Sequence, residues 1–287
     1  MADTFADTLA VLPQYLLPKK ALTVLAGWVA SARGGVLSRV LIRWFVRRYQ
    51  VDMAEAAQPD VAAYASFNDF FTRALQPGAR PLADADYLCP VDGAISQFGA
   101  IAEDQIFQAK GHRYSTTALL GGDAALAAQF HDGAFAALYL SPRDYHRIHM
   151  PCDAELRQMV YVPGDLFSVN PATARGVPGL FARNERVVCV FDSPQGRFVL
   201  TLVGATIVGS MATVWHGQVN PPRRGQICRW DYPPGQVHLK KGQEMGRFLL
   251  GSTVVLLFGK NRLHFQPTWQ AAGPVRMGEA MASKLSA

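Results

Sequence analysis

Residues 247–258 read RFLLGSTVVLLF, and the predicted fold and chemistry both depend on this stretch. Its second half, residues 254–258, is rich enough in β-branched and aromatic side chains to predict a buried strand. Gly251 precedes that strand and predicts a bulge, a bend or a close approach of another backbone. Such a bend would bring the hydroxyl of Ser252 beside the carbonyl of Gly251, where its attack would convert the peptide bond into an ester. The same residues are also consistent with a kinked strand whose serine is only hydrogen-bonded and not reactive, because short motifs match by chance.

The composition of the 287-residue chain indicates a globular protein. Apolar residues make up 49% of the chain and charged residues 17%, which is enough apolar material for a sizeable core. The length allows one large domain or two small ones. The net charge of +6 and the pI of about 9.2 favour an acidic partner, either nucleic acid or an anionic membrane surface.

The amino end and the cysteines exclude some classes of protein. The four cysteines are scattered and form no C-x-x-C pair, so neither a zinc ribbon nor a thioredoxin-type motif is supported. Residues 1–4 lack the basic region of a signal peptide, and the longest early apolar run, Ala21 to Ala32, is too short to span a bilayer. We expect a protein that is neither exported by a signal peptide nor transmembrane.

The first 60 residues predict amphipathic helices with a basic face. Apolar side chains recur at helical spacing from Leu22 to Val29 and from Val36 to Phe45. Arginines accompany the second stretch at positions 39, 43, 47 and 48. The pattern is typical of a helix lying in a membrane interface, although a helix docked on its own domain looks similar. The one-sided charge favours the membrane surface. No nucleic-acid module is recognisable, so we expect no nucleic-acid partner.

Two short polar motifs lie between the helices and the opening stretch. Asp92-Gly93 predicts a hairpin turn between two strands. Residues 138–152 form the densest polar cluster of the chain and contain His146 and His149. Histidine is the natural general base near neutral pH, and Asp92 is a candidate for the carboxylate that orients it. A structural role for either histidine stays open. Zinc would need further donors, which are not apparent locally, so we expect no metal.

Many short apolar runs separated by glycine and proline turns follow residue 88, and they predict an antiparallel sandwich or barrel. The predicted fold class is therefore α+β, with a mainly antiparallel β sandwich or barrel-like catalytic core preceded by N-terminal amphipathic helices. We predict a division at residue 60, with membrane-surface helices in residues 1–60 and the catalytic domain in residues 61–287.

Five segments together resemble one family, the pyruvoyl-dependent phosphatidylserine decarboxylases of prokaryotic type. These segments are FFTR at 70–73, PVDG at 90–93, KG at 110–111 with YS at 114–115, SPRDYHRIH at 141–149, and GRF at 246–248 with GST at 251–253. They run in order along nearly the whole chain. The histidine motif and the Gly-Ser-Thr motif are highly specific when they occur together.

The resemblance implies that the chain cleaves itself between Gly251 and Ser252. A β chain, residues 1–251, and an α chain, residues 252–287, would stay associated. Ser252 would become the covalent pyruvoyl cofactor, which replaces pyridoxal phosphate as the electron sink. The dimer of such αβ units is likewise an expectation from the family.

The resemblance also assigns residue roles and a substrate. Asp92, His149 and Ser252 match the autoproteolytic triad of the family, and His146 matches the residue implicated in decarboxylation. His149 would take the hydroxyl proton of Ser252, while Asp92 would fix the tautomer of the imidazole. The implied reaction converts phosphatidylserine in an anionic membrane into phosphatidylethanolamine and carbon dioxide, in phospholipid biosynthesis. We expect a peripheral protein on the cytoplasmic side of the cell membrane.

Two other functions fit parts of the pattern. A serine hydrolase could use Ser252, His149 and Asp92 without any cleavage of the chain. A non-enzymatic β module bound to a membrane would use Gly251-Ser252 only as a bend.

Overall fold

The computed structural model describes residues 11–206, 210–220, 225–249 and 253–285. Two long helices lie near the amino end, and the other helices of the described residues are short. The helices are Lys19–Ser31 (α1), Gly35–Tyr49 (α2), Phe67–Phe71 (α3), Thr116–Leu119 (α4), Ala124–Ala128 (α5), Pro171–Gly176 (α6) and Leu180–Arg183 (α7). Residues 11–16 are also helical, and Val61–Ala63 form a 3-10 turn.

Most of the remaining regular structure is β strand. The strands in the amino-terminal half are Tyr87–Leu88 (β1), Gly93–Ala100 (β2), Gln105–Ala109 (β3), His112–Ser115 (β4), Ala134–Tyr139 (β5), Arg147–His149 (β6) and Ala154–Val162 (β7). The later strands are Arg186–Ser193 (β8), Gly196–Val203 (β9), Met211–Thr213 (β10), Gly217–Gln218 (β11), Cys228–Asp231 (β12), His238–Leu239 (β13), Glu244–Phe248 (β14), Thr253–Phe258 (β15), Leu263–Phe265 (β16), Pro274–Val275 (β17) and Ala280–Lys284 (β18).

The strand predicted at residues 254–258 lies inside the largest sheet. The order of that sheet is β12-β7-β8-β9-β15-β5-β2-β17, with β13 beside β7. Strand β15 is paired along its whole length with β9 on one side and with β5 on the other, and all of its residues are buried. The prediction of a buried strand is therefore confirmed.

The central sheet has a core on each face. Val254 and Leu256 belong to one apolar cluster, whereas Val255 and Leu257 belong to the other, as the alternation of side chains along a strand requires. The first cluster is completed by two small sheets, β1-β18-β16 and β11-β10-β14-β6. The second is completed by helices α4 to α7 and by the β3–β4 hairpin. Burial on both faces explains why β15 reads as an unbroken apolar run.

The α+β class and the antiparallel sheets match the prediction. The described strands do not close into a barrel, because β12 and β17 end the central sheet on opposite sides. The hairpin predicted at Asp92-Gly93 is wrong, since β1 pairs with β18 while β2 pairs with β5 and β17. Gly93 instead allows two backbones to approach each other closely, because a Cβ at this position would collide with the carbonyl oxygen of Tyr139.

The two long helices pack on α3 through a third apolar cluster. Ile42 and Phe45 of α2 contact Phe67, Phe70 and other residues of that cluster. The division predicted at residue 60 stays a prediction, and this cluster contains residues from both sides of it. No single helix of the described residues is long and apolar enough to cross a bilayer; α1 and α2 meet the length and composition criteria only as a pair bent by 113°.

Candidate active site

Three strand ends meet at one edge of the central sheet, because β5 is antiparallel to both β2 and β15. Thr253 lies opposite Tyr139, and Tyr139 lies opposite Ala94. Neighbouring strands are about 4.8 Å apart, so Thr253 and Ala94 are separated by about 10 Å. Asp92 lies just before β2, and residues 140–149 follow β5. The fold therefore gathers the polar motifs of the sequence beside the start of β15.

The predicted cleavage site itself, Gly251 with Ser252, lies outside the described residues, but the residues on both sides of it are held firmly. The amide of Phe248 donates to the carbonyl of His146 at 3.1 Å. Thr253 is in register with both of its neighbouring strands. The chain therefore leaves β14 and enters β15 at the edge that carries the histidine motif.

His149, at the end of β6, has both ring nitrogens in hydrogen-bonding contacts. Nδ1 lies 2.8 Å from the carbonyl oxygen of Gly242, and Nε2 lies 3.0 Å from the hydroxyl of Tyr145. A carbonyl can only accept, so we assign the proton to Nδ1 and make Nε2 the acceptor of the Tyr145 hydroxyl. Burial lowers the pKa of His149, which favours the neutral ring that a general base requires.

Asp92 is buried, and its carboxylate is held by groups other than His149. Nε of Arg80 donates to both carboxylate oxygens at 3.0 and 3.1 Å, and the backbone amide of Met277 donates to one of them at 2.9 Å. The backbone amide of His149 donates to the carbonyl of Pro90 at 2.9 Å. The backbone hydrogen bond between His149 and Pro90 thus brings the chain segments of His149 and Asp92 together, but no hydrogen bond joins the side chains of these two residues.

His146 is completely buried and has an unusual hydrogen-bonding state. Its Nδ1 lies 2.8 Å from the carbonyl oxygen of Asp144 and therefore carries the proton. Its Nε2 is buried and has no hydrogen-bond partner among the described residues. Burial, with a smaller contribution from the charge of Arg73, lowers the pKa of His146 to about 3. The ring packs on Phe71, with 4.1 Å between centroids. His146 is therefore a neutral imidazole whose Nε2 lone pair is unpartnered.

Sequence reasoning missed Tyr145, Arg80 and Gly242. Tyr145 lies inside the histidine motif, and its position next to His146 was the only signal that could have found it. Arg80 and Gly242 carry no local signal, because only the folded chain brings them to Asp92 and His149.

Two cavities border the same edge. One, of about 310 Å³, has mostly charged walls that include Arg73, Arg80, Asp92 and Asp144. The other, of about 460 Å³, runs along β2 and the end of β5 and is more apolar. Both have the size of small-molecule sites. The described residues contain no cluster of three or more histidine, cysteine or acidic side chains arranged for a metal ion, and the metal-free site stays a prediction.

Comparison with known proteins identifies the family of this chain. The family model described as phosphatidylserine decarboxylase matches residues 67–283, and a second one, described as PSD, matches residues 9–50. The chain belongs to the phosphatidylserine decarboxylase family. The predicted resemblance is thereby confirmed.

Curated relatives of this family cover almost the entire chain. A protein from Dechloromonas aromatica is 72% identical over 97% of this chain and 99% of its own length. One from Albidiferax ferrireducens is 73% identical over 96% of this chain and 97% of its own length. Both are named phosphatidylserine decarboxylase proenzyme. The chain is therefore a decarboxylase, rather than a serine hydrolase or a non-enzymatic module, and the word proenzyme implies a precursor that is processed.

Proposed function

We propose that this decarboxylase cleaves itself between Gly251 and Ser252 and then converts phosphatidylserine into phosphatidylethanolamine, using a pyruvoyl group made from Ser252. The supporting observation is the convergence of Asp92, His146 and His149 with the flanks of residues 250–252 at one edge of the central sheet. The residue roles are those that the family resemblance implies, and the hydrogen bonds and burial of His146 and His149 support them.

Self-cleavage begins when a base takes the hydroxyl proton of Ser252. Neutral His149, with its proton on Nδ1, offers the lone pair of Nε2 for this step. The hydroxyl oxygen then attacks the carbonyl carbon of Gly251, the proton held by His149 passes to the departing nitrogen of Ser252, and an ester bond replaces the peptide bond. Loss of the Cα proton expels the Gly251 carboxylate and leaves dehydroalanine. Tautomerisation and uptake of water release ammonia and give the pyruvoyl group.

His146, in the motif that lies beside the flanks of the cleavage segment, suits the chemistry of a reactive carbonyl derived from the chain. When formed, the pyruvoyl group supplies a ketone that holds the substrate amine and withdraws electrons as carbon dioxide leaves. His146 presents an unprotonated, buried Nε2 with no partner among the described residues. The lone pair of Nε2 can accept a hydrogen bond from the substrate, and His146 is the proposed donor, or positioner, of the proton that the substrate Cα takes up after decarboxylation. Its burial protects this proton from exchange with water.

Cleavage would leave the two chains associated. Strand β15 would belong to the shorter chain, yet it is hydrogen-bonded on both sides to strands of the longer chain, β5 and β9. All six of its residues are buried, so separation would expose a large apolar surface. The dimer of αβ units stays a prediction.

We also propose attachment to the cytoplasmic face of an anionic membrane through the amino-terminal helices. All but three of the exposed large apolar side chains in the described residues lie between Leu12 and Trp44. Trp28 is the most exposed aromatic residue among them, with 75% of its surface exposed. Arg43 and Arg47 are exposed on α2 beside these residues. Exposed apolar side chains accompanied by cations suit the interface of an anionic bilayer.

Denaturing mass spectrometry of the purified protein tests the proposal. The wild type should give two chains, and the shorter one should begin at residue 252 and be lighter by one ammonia than the unmodified peptide. Borohydride in the presence of phosphatidylserine should attach the lipid amine to the shorter chain. The Ser252→Ala variant should remain one chain and lack decarboxylase activity. An intact wild-type chain with full activity would rule the proposal out.

A further inference from the structure

Arg73, two residues after α3, is a buried cation with few partners. Only 5% of its surface is exposed. Its one hydrogen bond to a described residue runs from Nη2 to the carbonyl of Arg143 at 3.3 Å, and its Nε is buried without a partner. Its guanidinium lies over the ring of Phe70, 5.3 Å from the centroid, and no ion pair joins it to a described acidic residue. A buried charge in this state is costly to the folded protein.

Arg80 lines the same charged cavity, but its guanidinium, unlike that of Arg73, has acidic partners. Its guanidinium bonds the carboxylates of Asp92 and Glu55. Burial alone would lower the pKa of Arg80, but the hydrogen bonds that Arg80 donates to Asp92 and Glu55 outweigh burial and raise that pKa. For Arg73 burial prevails, and its pKa is lowered. Asp92 and Glu55 are thus bound by Arg80, while Asp144 and Asp52 accept from the backbone amides of Ser141 and Ala54. Arg73 has no direct counter-ion among the described residues.

Arg73 lies close to the predicted catalytic histidine. Arg73 stacks on Phe70, and His146 packs on Phe71, the next residue of the same helix. The charge of Arg73 contributes to the lowered pKa of His146. Each side chain has one buried nitrogen without a partner among the described residues, a donor in Arg73 and an acceptor in His146. Buried polar atoms are nearly always paired, so two such atoms, on side chains that pack on adjacent residues of α3, indicate a missing ligand.

We propose that Arg73 binds an oxyanion of the phospholipid head group, a carboxylate or a phosphodiester, and thereby positions the head group beside His146. The planar guanidinium suits both of these anions. Arg73 borders the cavity of about 310 Å³ that also contacts Asp92 and Tyr145, so a bound anion would lie next to the proposed chemistry. This inference rests on the proposed function and adds a substrate-binding residue to it.

The test compares Arg73→Met and Arg73→Lys with an exposed control on β4, Arg113→Gln. Self-cleavage, thermal unfolding, and KM and kcat for phosphatidylserine in detergent micelles are measured for each processed variant. Arg73→Met should cleave itself normally and unfold at the same or a higher temperature, because it removes a buried unpaired charge. Its KM should rise by about ten- to a hundredfold, which is the loss of one charge-assisted hydrogen-bonding contact. Arg73→Lys should recover part of this loss, and Arg113→Gln should match the wild type.

Two soluble inhibitors distinguish the anions. Glycerophosphoserine carries both a carboxylate and a phosphodiester, whereas glycerophosphoethanolamine carries only the phosphodiester. If Arg73 binds the phosphodiester, Arg73→Met should weaken inhibition by both compounds. If Arg73 binds the carboxylate, Arg73→Met should weaken inhibition by glycerophosphoserine only.

Three results would overturn the role of Arg73 while leaving the proposed function intact. They are an unchanged KM with unchanged inhibition, a less stable Arg73→Met protein with normal KM, and failure of that variant to cleave itself. An intact wild-type chain with full decarboxylase activity would instead contradict the proposed function.

Discussion

The hydroxyl of Tyr145 contacts Nε2 of His149, the nitrogen with which His149 is expected to act as a base. It donates to Nε2 at 3.0 Å, and burial raises the pKa of Tyr145 to about 12, so the phenol stays protonated. A donated hydrogen bond stabilises neutral imidazole against imidazolium. Tyr145 therefore keeps His149 ready to accept a proton, and it must release Nε2, or pass the proton on, when Ser252 reacts.

We predict that Tyr145→Phe shifts the pH dependence of self-cleavage upward. Without the donor, protonated His149 becomes relatively more favourable and its pKa rises. Cleavage needs the neutral ring, so the pH at which its rate reaches half of the maximum should increase. Gel time courses of freshly refolded protein over the neutral range would measure this shift.

Tyr114→Phe is the matched control for this prediction. Tyr114 is also buried, but its hydroxyl has no partner among the described residues. Its removal should leave the pH profile where it is. A Tyr145→Phe profile that coincides with that of the wild type would show that Tyr145 does not act on His149.

At the scale of elements, β10 and its flanks fix the strand that leads into the cleavage segment. The amide of Leu249 donates to the carbonyl of Ser210 at 2.9 Å. The amide of Met211 donates to the side-chain oxygen of Asn220 at 2.7 Å, and the side-chain nitrogen of Asn220 donates to Glu185. Ser210, Asn220 and Glu185 are all at most 2% exposed. A buried polar network of this kind holds its members in one arrangement.

We predict that Asn220→Ala slows self-cleavage and lowers the free energy of unfolding by about 1–3 kcal/mol, because the buried amide of Met211 loses its partner. The unfolding measurement belongs in a Ser252→Ala background, where both proteins are a single chain. The exposed Gln105 on β3 provides the control variant, Gln105→Ala. Cleavage at the wild-type rate by Asn220→Ala would show that the network does not position the segment.

At the scale of the whole molecule, the exposed apolar side chains of α1 and α2 are not among the residues that line the two cavities at the catalytic edge. Trp28 and Trp44 are 75% and 55% exposed. We predict that replacing each by Ser lowers binding to anionic vesicles by about tenfold or more, since each indole would bury apolar surface in the bilayer. Self-cleavage should not change. Co-sedimentation with phosphatidylcholine vesicles, with and without phosphatidylglycerol, measures this effect.

The control for the membrane prediction is Val214→Ser. Val214 is 49% exposed but lies outside the helices, so its replacement should leave vesicle binding unchanged. Equal binding by the tryptophan variants and the wild type would place the membrane-binding surface elsewhere.

The sequence by itself determined the elements and the family. The apolar run at 254–258 predicted a buried strand, and the helical spacing predicted α1 and α2, because periodicity and propensity act over a few neighbouring residues. The specific motifs at 141–149 and 251–253 predicted the family, which the comparisons confirmed.

Only the tertiary structure decided which partners the polar side chains of the site have. The carbonyl that fixes the tautomer of His149 belongs to Gly242, 93 residues away along the chain. Asp92 is bound by Arg80 instead of by His149, and Arg73 has no counter-ion among the described residues. Hydrogen bonds of buried groups depend on which distant segments the core brings together, and no local pattern of residues encodes that choice.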